Sequence, residues 1–385
     1  MRDALNNIVV AIDSFKGSLS SLEAGKAIKD GILKVMPHAN VHVSPLADGG
    51  EGTVEALALG MGGKLVTVNV TGPLGERVEC VYGILEKSKT AIMEMSGAAG
   101  ITLVPEAERN PLHTTTYGVG EVIKDAIAKG CRHFIVGIGG SATNDGGIGM
   151  LQALGYGILD KNGNQVTFGA KGIKEIVTIT DAQVIPELKE CSFRIACDVT
   201  NPLCGKTGCS VIFGPQKGAT PEMVKEMDGW LARYAKLTSA KYESADATYP
   251  GTGAAGGLGF AFISYTDAVL ESGIKIILEE TKLEDYVKDA DIVITGEGRL
   301  DGQTAFGKAP IGVAKIAKKY DKPVIAFAGA VTEDAVVCNE HGIDAFFPIL
   351  RKIQTLEEAM KPENARDNMS STVEQVFRLI NIKGV

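Results

Sequence analysis

The sequence predicts an α/β protein: a doubly wound domain built from both ends of the chain, interrupted by a larger mixed-sheet domain. Three observations carry this expectation. Apolar runs that end in glycine or an acid recur along the chain (NIVVAID, RHFIVGIGG, FRIACDV, ADIVITGEG, KPVIAFAGA, IDAFFPI), and each is followed by a helix-compatible stretch. Between residues 63 and 95 the rhythm changes to short, valine-rich, partly alternating segments around a Gly-Pro-Leu-Gly turn, the pattern of an antiparallel meander. That meander lies inside the chain, whereas both ends keep the strand-helix alternation. The expected division is residues 1–74 with 286–385 as the doubly wound domain, and 75–285 as the insertion.

Taken in order, the first element is NIVVAIDSFKGSLSSL, Asn7 to Leu22. Its unbroken apolar run reads as a strand buried on both faces, as in a parallel sheet. Ser20 and Glu23 form a capping box, so a helix is expected over Ser21–Val35. DSFKGSL is then a loop longer than the turn requires, at the strand end where open α/β sheets place ligands. Asp13, Ser14 and Lys16 become candidate substrate ligands: Lys16 meets an anion and Asp13 orients Lys16 or the loop. The bland alternative is a surface lysine beside a turn.

A strand at Val41–Ser44 runs into Asp48, Gly49, Gly50, Glu51, Gly52 and Thr53. Glycines at a helix start leave N–H groups bare and suit a carboxylate or phosphate. An ordinary Asp-capped helix entry competes with that reading. Val136–Met150, VGIGGSATNDGGIGM, repeats the theme. Gly139, Gly140 and Ser141 make a nest for anions, Asn144 adds an amide, and Asp145 is a candidate Mg²⁺ ligand. A glycine-packed strand-to-helix turn is the alternative.

Asp198 ends the strand FRIACDV and is expected to act as a general base or metal ligand, unless it only forms a turn with Asn201 and Pro202. In FGPQKGA, Lys217 is a candidate phosphate ligand or a solvated lysine. GTGAAGG, Gly251–Gly257, contains G-x-G-x-x-G, but Tyr249 and Pro250 stand where a strand should precede it; close packing or backbone contact with a ligand is the better reading. Gly302–Lys308 has the Walker A frame, yet Ala309 replaces the hydroxyl residue that would ligate Mg²⁺. What remains there is a polar loop with Glu297 as a metal candidate, Arg299 for substrate, Asp301 as an alternative base and Lys308 for phosphates. Further helices are expected over Gly118–Ala128, Gly147–Leu154, Pro221–Leu237, Pro310–Lys319 and Ser370–Leu379, with a hairpin around Asp160–Gly163.

Composition excludes several classes. A net charge of −8 and a pI near 5.4 argue against nucleic acid or an anionic membrane as partner. Seven cysteines without a C-x-x-C pair point to reduced thiols in a cytoplasmic enzyme, and the spacing of Cys197, Cys204 and Cys209 fits packing rather than zinc. The N-terminus is no signal peptide, and no apolar run approaches the ~20 residues of a spanning helix. A homo-oligomer is left open. No Ser–His–Asp set or redox motif competes with acids for Mg²⁺, lysines for anions and several glycine cradles, an inventory that fits phosphoryl transfer.

Through DSFKGSLS, ADGGEGT, TGPLGE, TTTYG, GIGGSATNDGG, CDVTNPL, FGPQKGAT, GAAGGLG and TGEGRLDGQT, in this order, the chain resembles the bacterial glycerate kinases almost end to end. Ile12 stands where such proteins commonly have Pro, Cys204 where Thr is frequent, and Ala309 where Val is frequent; none of these removes a charged group. The resemblance implies two α/β domains, one flavodoxin-like, with the active site between them. It also implies ATP-dependent phosphorylation of D-glycerate to 2-phosphoglycerate, with glycerate and ATP as the small-molecule partners. On that footing Lys16 and the 48–53 loop would take the glycerate carboxylate and Asp198, or else Asp301, the hydroxyl proton. Asp145 or Glu297 would reach Mg²⁺, and the 139–145 cradle with Lys217 or Lys308 the ATP phosphates. A metal-dependent hydroxy-acid lyase and a non-catalytic sugar-acid sensor are the rival readings.

Overall fold

The computed structural model describes residues 6–47 and 52–382. In chain order its strands are β1 (Asn7–Ile12), β2 (Asn40–Pro45), β3 (Lys64–Thr71), β4 (Arg77–Leu85), β5 (Thr90–Glu94), β6 (His133–Gly137), β7 (Gly157–Leu159), β8 (Thr178–Thr180), β9 (Ser192–Ala196), β10 (Ala268–Glu271), β11 (Ile292–Leu300), β12 (Val324–Val331) and β13 (Ala345–Pro348). They fall into two compact units, Met1–Asp48 with Ile274–Val385, and Gly49–Gly273.

The first unit holds a five-stranded parallel sheet of order β13-β12-β11-β1-β2. Neighbouring strands at its centre, β1 and β11, come from opposite ends of the chain, and the winding direction reverses between them. That is the switch point at which doubly wound sheets leave a crevice outside their carboxyl ends. Ile8, Val10 and Ile12 pack with Ile294 and Phe327 on one face, while Val9 and Ala11 are buried on the other. Burial on both faces explains the unbroken apolar run of β1.

The helix after β1 starts where the capping box places it: the Glu23 amide donates to Ser20 Oγ at 3.3 Å and the Ser20 amide to Glu23 Oε2 at 2.9 Å. Ser21 Oγ then donates to the Ile12 carbonyl at 2.7 Å and accepts from the Leu46 amide at 3.0 Å, tying the ends of β1 and β2 together. This helix, Ser21–Leu33, lies against the C-terminal helix Pro362–Ile380. The C-terminal helix begins eight residues before the expected Ser370, because Pro362 supplies a favourable first-turn residue.

The second unit has a six-stranded mixed sheet of order β10-β9-β6-β5-β4-β3, parallel from β5 to β10 and antiparallel through β3 and β4. β7 and β8 form a separate antiparallel pair. β3 pairs with β4 along its whole length, which is why the unit boundary falls at 48–49 and not near 75. The helix Gly273–Glu280 groups with the first unit from residue 274 on.

GTGAAGG resolves into close packing. Ala255, Gly256 and Gly257 have φ of 51°, 65° and 95°, and a Cβ on Gly256 would lie 2.1 Å from the Thr143 carbonyl oxygen. The Gly146 amide donates to the Gly256 carbonyl at 2.9 Å, so two glycine-rich turns meet backbone to backbone.

Gly31 tests how tightly the first unit's helices meet. A Cβ there would sit 2.4 Å from the Ser370 carbonyl oxygen. Alanine gains ~1 kcal/mol of helix propensity, but overpacking against backbone costs ~1–3 kcal/mol. Gly31→Ala is therefore expected to lower stability by up to about 2 kcal/mol, read as a lower urea midpoint at unchanged m-value.

Candidate active site

The loop after β1 is tied to the neighbouring strand β11 and to itself. The Asp13 amide donates to the Gly296 carbonyl at 2.9 Å, and Phe15 and Leu19 exchange backbone hydrogen bonds at 2.8 and 3.0 Å. Between them Gly17 takes φ +76°, which lets the chain reverse and leaves Lys16 exposed at the tip. Asp13 is buried and accepts from the Ser14 amide at 2.7 Å.

Facing this loop, β11 runs on past its pairing with β1, still paired with β12, through Glu297 and Arg299 to Asp301 just beyond its end. Asp301 Oδ1 caps the 3-10 turn Gly302–Phe306 by accepting from the Gln303 and Thr304 amides at 3.0 and 3.2 Å. Thr304 Oγ1 donates to Glu297 Oε1 at 2.7 Å. Lys308 Nζ lies 3.8 Å from Glu297 Oε2 and 3.7 Å from Asp301 Oδ1, and Arg299 Nε lies 3.3 Å from Asp301 Oδ2. Both carboxylates are mostly buried, and each is matched by a cation, the arrangement low-dielectric surroundings demand.

Together the two loops and the segment after β13 enclose a pocket of about 470 Å³. Asp13, Ser14, Lys16, Glu297, Arg299, Asp301 and Lys308 line its polar side. All of these were singled out in the sequence, and the structure brings them together. The opposite wall, with Ile349, Leu356 and Met360, was not anticipated, because apolar residues in a short amphipathic stretch carry no chemical signal.

The candidates of the second unit gather at the carboxyl end of β6. Gly139 and Gly140 are exposed, and Gly140 has φ +71°. The polar side chains that follow turn inward. Lys217 Nζ donates to Ser141 Oγ at 2.8 Å and to the Thr143 carbonyl at 2.6 Å, and Asn144 Nδ2 donates to Ser210 Oγ at 2.8 Å. Asp145 is wholly buried: Oδ2 accepts from the Thr116 amide and hydroxyl, both at 2.8 Å, and Oδ1 from the Gly147 amide at 3.1 Å. Burial pushes its pKa up against the pull of these donors. Engaged in this way, Asp145 staples TTTYG to the glycine loop and is badly placed for the metal role expected of it. Lys217 likewise holds the shape of the turn from inside, where no phosphate reaches it without displacing Ser141.

Asp198 stands exposed just past β9, beside the β6 turn in the sheet order, with Oδ1 accepting from the Gly273 amide at 3.1 Å. Nearby, the Val54 amide donates to Glu94 Oε1 at 3.1 Å, anchoring the helix Thr53–Gly60 to the end of β5. Asp48, Gly49, Gly50 and Glu51 lie outside the described residues. Among the described residues, no group of three or more His, Cys, Asp or Glu side chains is arranged to hold a metal by itself.

Comparison with known proteins places these loops in a family. The glycerate kinase family model matches residues 8–381. The chain is 49% identical to a glycerate kinase of Haemophilus influenzae over 97% of its length and 99% of that protein's. It is 48% identical to the glycerate 2-kinase of Escherichia coli K12, over 94% of each. A crystal structure assigned as glycerate kinase 2 of Salmonella typhimurium LT2 superposes with a TM-score of 0.91 at 47% identity, covering 98% of both chains.

The buried lysine gives a pH test. Burial lowers the Lys217 pKa to about 8, with Cys209 and Asp145 pulling it back up. An unfolded lysine keeps ~10.4, so between these values the unfolded chain binds more protons, and stability attributable to Lys217 rises with pH. The difference in unfolding free energy between the native chain and Lys217→Met is therefore expected to shift in favour of the native chain from pH 8 to pH 10. A flat difference in urea titrations across that range would contradict it.

Proposed function

The chain belongs to the glycerate kinase family and is an enzyme of phosphoryl transfer; from that premise we propose that it moves the γ-phosphoryl group of ATP to the 2-hydroxyl of D-glycerate, giving 2-phosphoglycerate. The observation that carries this reading is Lys308 suspended between Glu297 and Asp301 at distances too long for hydrogen bonds, at the switch point of a parallel sheet. A cation already occupies the space between two carboxylates, and anionic phosphate with its own counter-cation is what would draw them apart.

Mg²⁺ fits this donor set. It favours oxygen ligands, keeps several waters, and is commonly held by one or two carboxylates plus substrate phosphates and not by a protein cage. Glu297 and Asp301 would hold it, and when bound it would neutralise charge on the transferring phosphates. Lys308 then pairs with phosphate oxygens, while Lys16 and Arg299 supply cations for the glycerate carboxylate. The exposed turn at Gly139 and Gly140 offers bare backbone N–H groups to an anionic reactant.

Asp198 is the base in this reading, because Asp301 is committed to Arg299, Lys308 and its own turn. Its location at a strand's carboxyl end is where reacting groups collect in such sheets. The family findings give no support to a lyase or a silent sensor. A reducing cytoplasmic setting accords with seven free cysteines.

Proton-coupled phosphorus NMR of the product made from ATP and D-glycerate checks the regiochemistry. A phosphate on the secondary carbon couples to one proton and appears as a doublet; a triplet would mean the primary hydroxyl and refute the 2-kinase reading. Asp198→Asn should lower kcat ~100-fold or more with little change in either KM. An unchanged kcat removes Asp198 from the base role. Glu297→Gln should raise the Mg²⁺ concentration needed for half-maximal rate, measured by metal titration at saturating ATP.

A further inference from the structure

We propose that the apolar wall formed by Ile349, Leu350, Leu356, Ala359 and Met360 is the subsite for the nucleotide's purine ring, so that the first unit's pocket takes the whole nucleotide. The proposal rests on the kinase reading above and adds to it which surface holds the base.

Size is the first argument. A pocket of about 470 Å³ falls in the ~300–1,000 Å³ range of sites for ligands of nucleotide size, and glycerate would fill only a small part of it. Polarity is the second. One end carries Lys16, Glu297, Asp301 and Lys308, while the other offers no charged side chain. Glycerate is polar on every side and has no use for such a wall, whereas a nucleoside triphosphate is flat and weakly polar at one end and highly charged at the other.

The wall's exposure is the third argument. Leu350 and Leu356 are 45% and 75% exposed, and large aliphatic groups left open beside a charged site mark a place where a ligand completes the burial. The loop and the wall are in register: a Cβ on Gly17 would meet Met360 Cε at 2.9 Å. Ser18, next to Gly17, lines the same pocket, and its buried hydroxyl has no hydrogen-bond partner. A ribose hydroxyl or a ring nitrogen would satisfy it.

The test compares Leu356→Glu with Ile353→Glu. Both leucine and isoleucine are largely exposed, so neither change threatens the fold, but Ile353 is outside the pocket. Leu356→Glu is expected to raise KM for ATP about tenfold, the order of one lost aliphatic contact, with KM for D-glycerate within twofold of native. Leu356→Met should restore the native value, and Ile353→Glu should change neither constant. A rise in KM for glycerate alone, or no change in either, overturns the proposal. If the native chain showed no ATP-dependent turnover, the kinase reading itself would fall. Binding of trinitrophenyl-ATP, followed by fluorescence, would still decide the subsite: weaker binding to Leu356→Glu supports it and equal binding refutes it.

Discussion

Everything in the first unit depends on β1 being buried on both faces between β2 and β11. Its parallel pairing runs Ile8 against Ile292 on one side and against Val41 on the other. The pairing with β11 brings together residues 284 positions apart (8 to 292), a closure that local structure alone does not supply. It is sustained by apolar side chains on both faces and by the Ser21 hydroxyl that bridges the ends of β1 and β2. Once β1 and β11 lie side by side, their carboxyl-end loops must share a crevice. DSFKGS and GEGRLD meet because of the sheet order, and their chemistry follows from the meeting.

The charges gathered there obey the cost of burial. Glu297 and Asp301 are each mostly withdrawn from solvent, and a lone carboxylate in that position would be costly. Thr304, two backbone amides, Arg299 and Lys308 share the task of compensating them. The longest of these contacts are those of Lys308. Contacts of that length are the easiest to exchange, so the two carboxylates are compensated at rest by a cation that is not locked in place.

Much of this was legible in the sequence, for identifiable reasons. β1, β6, β12 and the first half of β11 announce themselves because a strand core buried on both faces has to be apolar. The Ser20 capping box is local chemistry and fixes a helix start without reference to tertiary structure. The polar members of the first-unit pocket could be named because acids and lysines past a buried strand have little structural purpose. The apolar wall at 349–360 was hidden for the opposite reason: leucine and methionine look alike in a core and in a binding surface, and only exposure in the folded chain separates them. The boundary after residue 48 was also out of reach, since it is set by the pairing of β3 with β4 across the sheet and leaves no change of composition behind.

Asp145 and Asp301 show why residue type at a strand end is only half of a functional argument. Both follow glycine-containing motifs at the carboxyl end of a parallel strand, and both accept hydrogen bonds from backbone amides. Asp145 accepts hydrogen bonds from the neutral Thr116 amide and hydroxyl and the Gly147 amide of its own unit and is sealed from solvent, so its carboxylate is spent on holding TTTYG against the glycine loop. Asp301 gives Oδ1 to its turn, with Lys308 Nζ 3.7 Å from that same oxygen and Arg299 Nε 3.3 Å from Oδ2, on the wall of an open pocket. The difference lies in who supplies the compensation. Neutral donors fixed in the backbone make an anion structural, whereas cations on long side chains compensate it while leaving it able to take another cation in their place.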